Sequence, residues 1–265
     1  MAKGMLLFLV LAMAVGAHAE SVESIIQKSV RVTRADWEAS PEYSCFERDR
    51  DPNGQTKTFE DLMIDGSPYQ RLVAVNGEPL SIEAREKEQD KFDRVIAERK
   101  KESAEARKER IDKYQKDRKR DQLMMQQLTE AFRFSLIGEG KMDSHDVYEL
   151  KALPRKGYRP PNMDTQVLKG MEGKLWVDKK TYQWVKVEAH VIHPVAIEGF
   201  VAQVQPGTNF ELEKMPVGDD IWLPKHYSMR SMAKVFFLFD RRSQDDETYY
   251  GYRRQAPQKA AGGGI

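Results

Sequence analysis

Metal or general-base chemistry in this chain would fall first to His145, His190, His193 and His226, the histidines beyond the N-terminal apolar segment. His190 and His193 are three apart, a spacing that brings two ligands together on a helix. Their surroundings read as a strand, where side chains three apart face opposite sides, and Pro194 marks the strand's end. They are read as solvated strand histidines rather than ligands of one metal. Cys45, the single cysteine, sits in "YSCFER". One thiol gives no internal disulfide framework, and Cys45 reads as a small strand residue. Asp219-Asp220 and Asp245-Asp246-Glu247 read as turn or strand-start acids. Paired carboxylates hydrolyse glycosides only when a cleft holds them with separated pKa values. No serine lies in a nucleophile elbow, and no glycine-rich loop matches a phosphate cradle. The residues therefore name no catalytic group, no metal site and no cofactor, and the chain reads as a non-enzyme. A hydrolase assembled in space from these acids or histidines is the rival.

The elements that would position any site come next. "MAKGMLLFLVLAMAVGAHAE" has a cation at Lys3, an apolar run and small residues at Ala17 and Ala19. It reads as a secretory signal cleaved after Ala19, so the mature chain is expected in the periplasm. No later segment reads as a transmembrane span. The remaining chain, 40% hydrophobic and 32% charged overall, is long enough to bury a core. A net charge of +1 gives no reason to expect a nucleic-acid partner.

Residues 21–39 read as an amphipathic helix, with Ile25, Ile26, Val30 and Trp37 near helical spacing and serine at its start. Strand, turn, strand, turn, strand follows, punctuated at Asp51-Pro52-Asn53-Gly54, Asp65-Gly66-Ser67-Pro68 and Asn76-Gly77. From Glu83 to Asp121 most residues are charged, both signs are mixed, and proline and glycine are absent. Glu83/Lys87, Asp90/Arg94, Glu109/Lys113 and Asp112/Lys116 place an acid four residues before a base, which supports a helix by about 0.2–0.5 kcal/mol per pair. The spacing predicts one long exposed helix or two, inserted at 80–130 between strands, with amphipathic character regained at Leu123, Met124, Met125, Leu128 and Phe132. After Phe132 the chain reads as a meander of short antiparallel strands. The fold class expected is α+β: a strongly curved antiparallel sheet, an unclosed half-barrel, with an N-terminal helix and a long charged helical insertion. The domain spans 20–254, and 255–265 reads as a disordered tail.

Alternation along the strands sorts the apolar residues. Phe132, Phe134 and Leu136 share one face, as do Tyr148, Leu150 and Ala152. In "GKLWVDKKTYQWVKVEAHV", Leu175 and Val177 oppose Trp176, and Val185, Val187, Ala189 and Val191 oppose Trp184. Phe210 aligns with Leu212. "VFFLF", Val235 to Phe239, is apolar on both faces and needs cover on both. The residues expected to line a groove are Phe134, Leu150, Leu175, Val177, Val185, Val187, Phe210 and Leu212.

The order of parts resembles the exported lipoprotein carriers LolA and LolB and the sensor RseB. The likeness rests on Gly173, Leu175, Trp176, Val177, Asp178, Thr181 and Glu188, and on "GDDIWLPKH", Gly218 to His226. Over nearly the whole chain it is also similar to an uncharacterised group of exported bacterial proteins sharing "YQRLVAVNGEPLS", "YELKALPRKGYRPP" and "TYYGYRR". The resemblance implies an unclosed antiparallel half-barrel with helices as a lid, no cofactor, and a ligand-gating arginine for which Arg31, Arg34, Arg48 and Arg71 are candidates. It implies a non-enzymatic periplasmic protein holding a lipid acyl chain or lipoprotein in an apolar groove. The alternative is an envelope sensor or interaction module whose charged helix meets a protein partner.

Overall fold

A computed structural model describes residues 20–197, 202–235 and 239–255. Residues 1–19, where a signal is expected, residues 198–201, the centre of "VFFLF" and residues 256–265 lie outside the described residues. Gln255 is described: its N–H donates to the Glu42 carbonyl at 2.7 Å.

The chain opens with α1, Val22–Ala39, capped by Ser21, whose hydroxyl accepts from the Ser24 N–H. Ile25, Ile26, Ser29, Thr33 and Asp36 form its buried stripe at helical spacing. A short 3-10 turn through Pro41 leads into β1, Tyr43–Arg50; β2, Thr56–Ile64; β3, Ser67–Val75; and the two-residue β4, Glu78–Pro79. Two-residue turns join β2 to β3 at Asp65-Gly66 and β3 to β4 at Asn76-Gly77. All four turn residues have positive φ, the geometry that matches strand twist and that Asn and Gly adopt readily.

The charged insertion is two helices. α2, Ile82–Lys101, starts at the Ser81 cap, and α3, Ala104–Ala131, starts at the Ser103 cap. Ser103 breaks the periodic run because its side chain accepts from the Ala106 N–H and restarts the helix. Among the described residues α2 buries none of its side chains. Lys87 pairs with Glu83 at 2.6 Å, one of the expected acid-before-base pairs.

Strands fill the rest: β5, Phe132–Met142; β6, His145–Pro154; β7, Met171–Asp178; β8, Trp184–Val191; β9, Val195–Ile197; β10, Ala202–Val204; β11, Asn209–Gly218; β12, Ile221–Val235; and β13, Phe239–Arg254. A 3-10 segment, Asp164–Gly170, lies between β6 and β7. The strands form one antiparallel sheet in the order β4-β3-β2-β1-β13-β12-β11-β8-β7-β6-β5, with β10 pairing β12 and β9. Its two ends do not meet. The architecture is α+β with an open curved sheet, as the strand pattern led us to expect. The last strand, β13, stands between β12 and β1, so it stitches the N-terminal hairpins to the C-terminal meander.

One face of the β5–β8 half carries the core. Ile25 and Ile26 of α1 pack on Leu150, Leu175, Val177 and Trp184. Beside them Ala131, Phe132, Ala152, Leu168, Met171 and Val191 form a second cluster reached by Met124 and Leu128 of α3. No helix among the described residues is long and apolar enough to cross a membrane.

Candidate binding groove

The groove lies between α1, the C-terminal turns of α3, and strands β5 to β8. Strand alternation delivers its floor: Phe134 from β5, Leu150 and Ala152 from β6, Gly173 and Leu175 from β7, Val187 and Ala189 from β8. Gly173 is required there, because a Cβ at this position would meet the Glu188 carbonyl oxygen at 2.3 Å. Ile26 and Val30 of α1 and Leu128 of α3 roof it, leaving an apolar cavity of about 60 Å³. A second cavity of about 110 Å³ lies between the two helices, lined by Val30, Thr33, Arg34, Trp37, Gln122, Met125, Gln126 and Trp184. Val30 and Trp184 belong to both.

Strict alternation fails in β8. Trp176 pairs with Lys186, yet Val177 pairs with Trp184, so Val185 is the extra residue of a bulge. The bulge turns Trp184 onto the face of Leu175 and Val177, where α1 covers it. It turns Val185 to the opposite face, against Val147 and Trp222. Both assignments correct the alternation reading, which put Val185 in the groove and Trp184 outside it. Trp176 stays on the outer face, 5.7 Å beneath the Lys174 ammonium. A second bulge, after Leu136 in β5, accompanies another correction: Leu136 is exposed instead of sharing the buried face of Phe132. Phe210 and Leu212 pair with Ala189 and Val187 and are half-buried, outside the α1 cluster.

α1 is held down by a buried ion pair that sequence reasoning missed. The Lys214 ammonium on β11 contacts Asp36 Oδ2, and both side chains are almost fully buried. Asp36 Oδ1 also accepts from the Trp222 N–H at 2.9 Å and from Gln183 Nε2 at 3.0 Å. Burial pushes the Lys214 amine below its ordinary range, and the Asp36 charge opposes that shift. The one advance signal was Asp36 itself, an acid on the apolar stripe of α1.

The charged hairpin is docked by arginines. Arg118 of α3 stacks on the Trp37 ring at 3.8 Å and donates to the Trp37 carbonyl at 2.6 Å, closing the end of α1. Arg99 donates to the carbonyls of Ile64 and Ser67 at 2.6 and 3.0 Å, and Arg110 to Ser67 Oγ at 2.7 Å. These two grip the β2–β3 turn. Of the arginines the resemblance offers as gates, Arg34 lines the second cavity. Arg71 instead pairs with Glu60, and Arg48 stacks on Tyr250.

Elsewhere the sheet gathers Cys45, Glu47 and Asp49 of β1, Asp61 of β2, and Glu247 of β13. Burial and then the Asp61 charge push the Glu47 carboxyl up to about 9. Burial and the same charge push the Cys45 thiol up to about 12, so the thiolate needed for nucleophilic chemistry is suppressed. Cys45, Glu47 and Asp49 alternate in "YSCFERDR", a signal that was readable. His190 pairs with Glu172, and His145 with Asp178, each at 3.2 Å. Among the described residues no group of three His, Cys, Asp or Glu side chains is placed to hold a metal ion.

Comparison with known proteins adds the following. The chain is similar to the crystal structure of a LolA superfamily protein from Nitrosomonas europaea, at 11% identity and a TM-score of 0.33, over 91% of this chain and 97% of that one. It is similar to a DUF1329 family protein from Desulfovibrio piger at 12% identity and a TM-score of 0.32, over 92% and 97%. It is also similar to a chain of the Pseudomonas aeruginosa MucA/MucB complex at 11% and a TM-score of 0.23, over 86% and 99%. No family profile matches the chain, and no curated protein matches it.

Proposed function

We propose that the chain is a non-enzymatic periplasmic binding protein that takes the acyl chain of a lipid or lipid-modified protein between α1, α3 and the sheet. The observation that supports it is the apolar floor of Phe134, Leu175 and Val187 beneath the helical roof of Ile26, Val30 and Leu128. Each methylene moved from water into such a lining gains about 0.8 kcal/mol, so loose shape matching suffices. The open volume of about 60 Å³ is small. Water occupies roughly 30 Å³ in the liquid, so a long chain enters only as α1 or α3 shifts outward. The test is lipid extraction and native mass spectrometry of the purified protein, followed by titration with palmitate. Protein that is reproducibly empty and takes up no palmitate rules the reading out.

A second reading is an envelope interaction module acting through α2 and α3. It is favoured by α2, which buries none of its side chains and, apart from Arg99, presents charges of both signs outside the arginine contacts that fix the hairpin. Removal of residues 84–120 separates the two. A pull-down partner lost while palmitate uptake survives assigns function to the hairpin; no change in either ends this reading.

A further inference from the structure

We infer that the polar end of the groove, at Thr33 and Trp184, is the seat of an acyl carbonyl oxygen, so that a bound chain is held by its head as well as its tail. The inference rests on the acyl-binding reading above and adds to it the chemistry of the head.

Two residues that carry orphaned polar atoms line one cavity. Thr33 and Trp184 are 6% and 7% exposed, and both line the 110 Å³ space between α1 and α3. Their Oγ1 and Nε1 atoms are buried without a hydrogen-bond partner. Native interiors pair nearly all such atoms, so two in one cavity point to a missing partner. The helix itself is able to satisfy a buried hydroxyl: Ser29, one turn earlier, donates back to the Ile26 carbonyl at 2.9 Å. Thr33 makes no such bond. Gln183 Oε1 is unpaired as well, but Gln183 belongs to the Asp36 cluster and does not line this cavity.

The chemistry of the missing partner follows from the donors. An indole N–H only donates, so the partner is an acceptor, and a threonine hydroxyl is able to donate to the same oxygen. The rest of the lining is mixed: Val30, Trp37 and Met125 are apolar, and Arg34, Gln122 and Gln126 bring polar groups. Val30 and Trp184 also line the neighbouring apolar cavity over Leu175 and Phe134. A space with donors at one end and hydrocarbon at the other fits an acyl group whose carbonyl lies at Trp184 and whose chain runs toward Phe134. Arg34 on the rim supplies a positive charge beside that end; its Nε is engaged by Glu38 at 2.9 Å on the exposed side of α1.

The carbonyl belongs either to a free carboxylate or to an ester, and the experiment separates them. Purified protein with ¹⁵N-labelled indoles is titrated with palmitate and with methyl palmitate. The Trp184 resonance is assigned by W184F and the equilibrium affinities are measured alongside. The expected result is a saturable shift of the Trp184 Nε1–H resonance. With it, palmitate affinity falls about fivefold to tenfold in the near-isosteric T33V, the loss that one hydrogen bond entails. A response to both ligands places an esterified chain in the site; a response to palmitate alone places a free fatty acid there. If palmitate binds while the resonance stays fixed and T33V binds like the wild type, the head sits elsewhere. This inference is then overturned and the groove reading stands. If neither ligand binds, the cavity holds water only, and both readings are overturned.

Discussion

Asp36 of α1 and Lys214 of β11 form an ion pair that is almost fully buried, with the carboxylate also accepting from the Trp222 N–H and Gln183 Nε2. It is the polar bolt that fixes the helix over the groove. Desolvating two charges costs several kcal/mol, and only close pairing and the extra hydrogen bonds offset it. Asp36→Ala leaves the Lys214 ammonium buried alone and is expected to cost about 3–5 kcal/mol in urea denaturation. The double variant D36L/K214M, which removes both charges, is expected to recover most of that loss. Equal instability of the single and double variants would show that the pair holds α1 by something other than its charges.

The carboxylates of β1 and β2 give stability a pH dependence of definite sign. Burial and the Asp61 charge push Glu47 up to about 9; burial also raises Asp61 and Glu247. Gln70 Nε2 donates to Glu47 at 3.3 Å, and Asp49 and Tyr249 stand close by. A raised folded-state pKa means that the native chain keeps a proton the unfolded chain has released. The associated stability is complete below the usual carboxylate range and is lost as pH climbs toward about 9. Urea midpoints are expected to fall between pH 6 and pH 9, and Glu47→Gln is expected to flatten that slope. A slope unchanged in Glu47→Gln would assign it to other groups.

The arginine contacts make the hairpin separable from the groove. Arg110 reaches Ser67 Oγ and the Asp65 carbonyl, and pairs with Glu102. Hydrogen bonds from a charged group contribute about 1.5–3 kcal/mol, so Arg110→Ala should loosen the α2–α3 end over the β2–β3 turn by an amount of that order. Hydrogen exchange should accelerate in residues 95–112 and in the turn, with little change in β6 and β7. Acceleration spreading evenly through the sheet would mean that the hairpin is integral to the core.

Much of this fold was legible because period and punctuation agree. Serine caps stand at 21 and 81, Asp65-Gly66 and Asn76-Gly77 turn the first strands, and the unbroken charge run builds the exposed helices. Leu150, Leu175 and Val177 could be placed on one buried face by alternation alone. Illegible were features that depend on one residue more or on a partner far away in sequence. The bulge at Val185 inverts the faces of Trp184 and Val185, and nothing in the local composition announces it. Asp36 finds Lys214 across 178 positions. The orphaned atoms of Thr33 and Trp184 appear only when α1 is laid on the sheet.

That inversion yields the sharpest separation of stability from binding. Val185 and Val187 are two apart in sequence, yet Val185 packs with Val147 and Trp222 on one face while Val187 lines the groove on the other. Val185→Ala removes buried hydrocarbon on the outer face and should cost about 2 kcal/mol with palmitate affinity unchanged. Leu175→Ala strips the groove floor, where a leucine truncation costs about 2–5 kcal/mol, and should weaken palmitate binding as well. Val187→Ala, at a half-buried position, should lower affinity more than it lowers stability. Measured by urea denaturation and palmitate titration on the same preparations, the three variants should fall on different lines. If Val185→Ala weakens binding as much as Val187→Ala does, then the bulge does not divide the two faces in solution, and the groove is built otherwise than β8 shows.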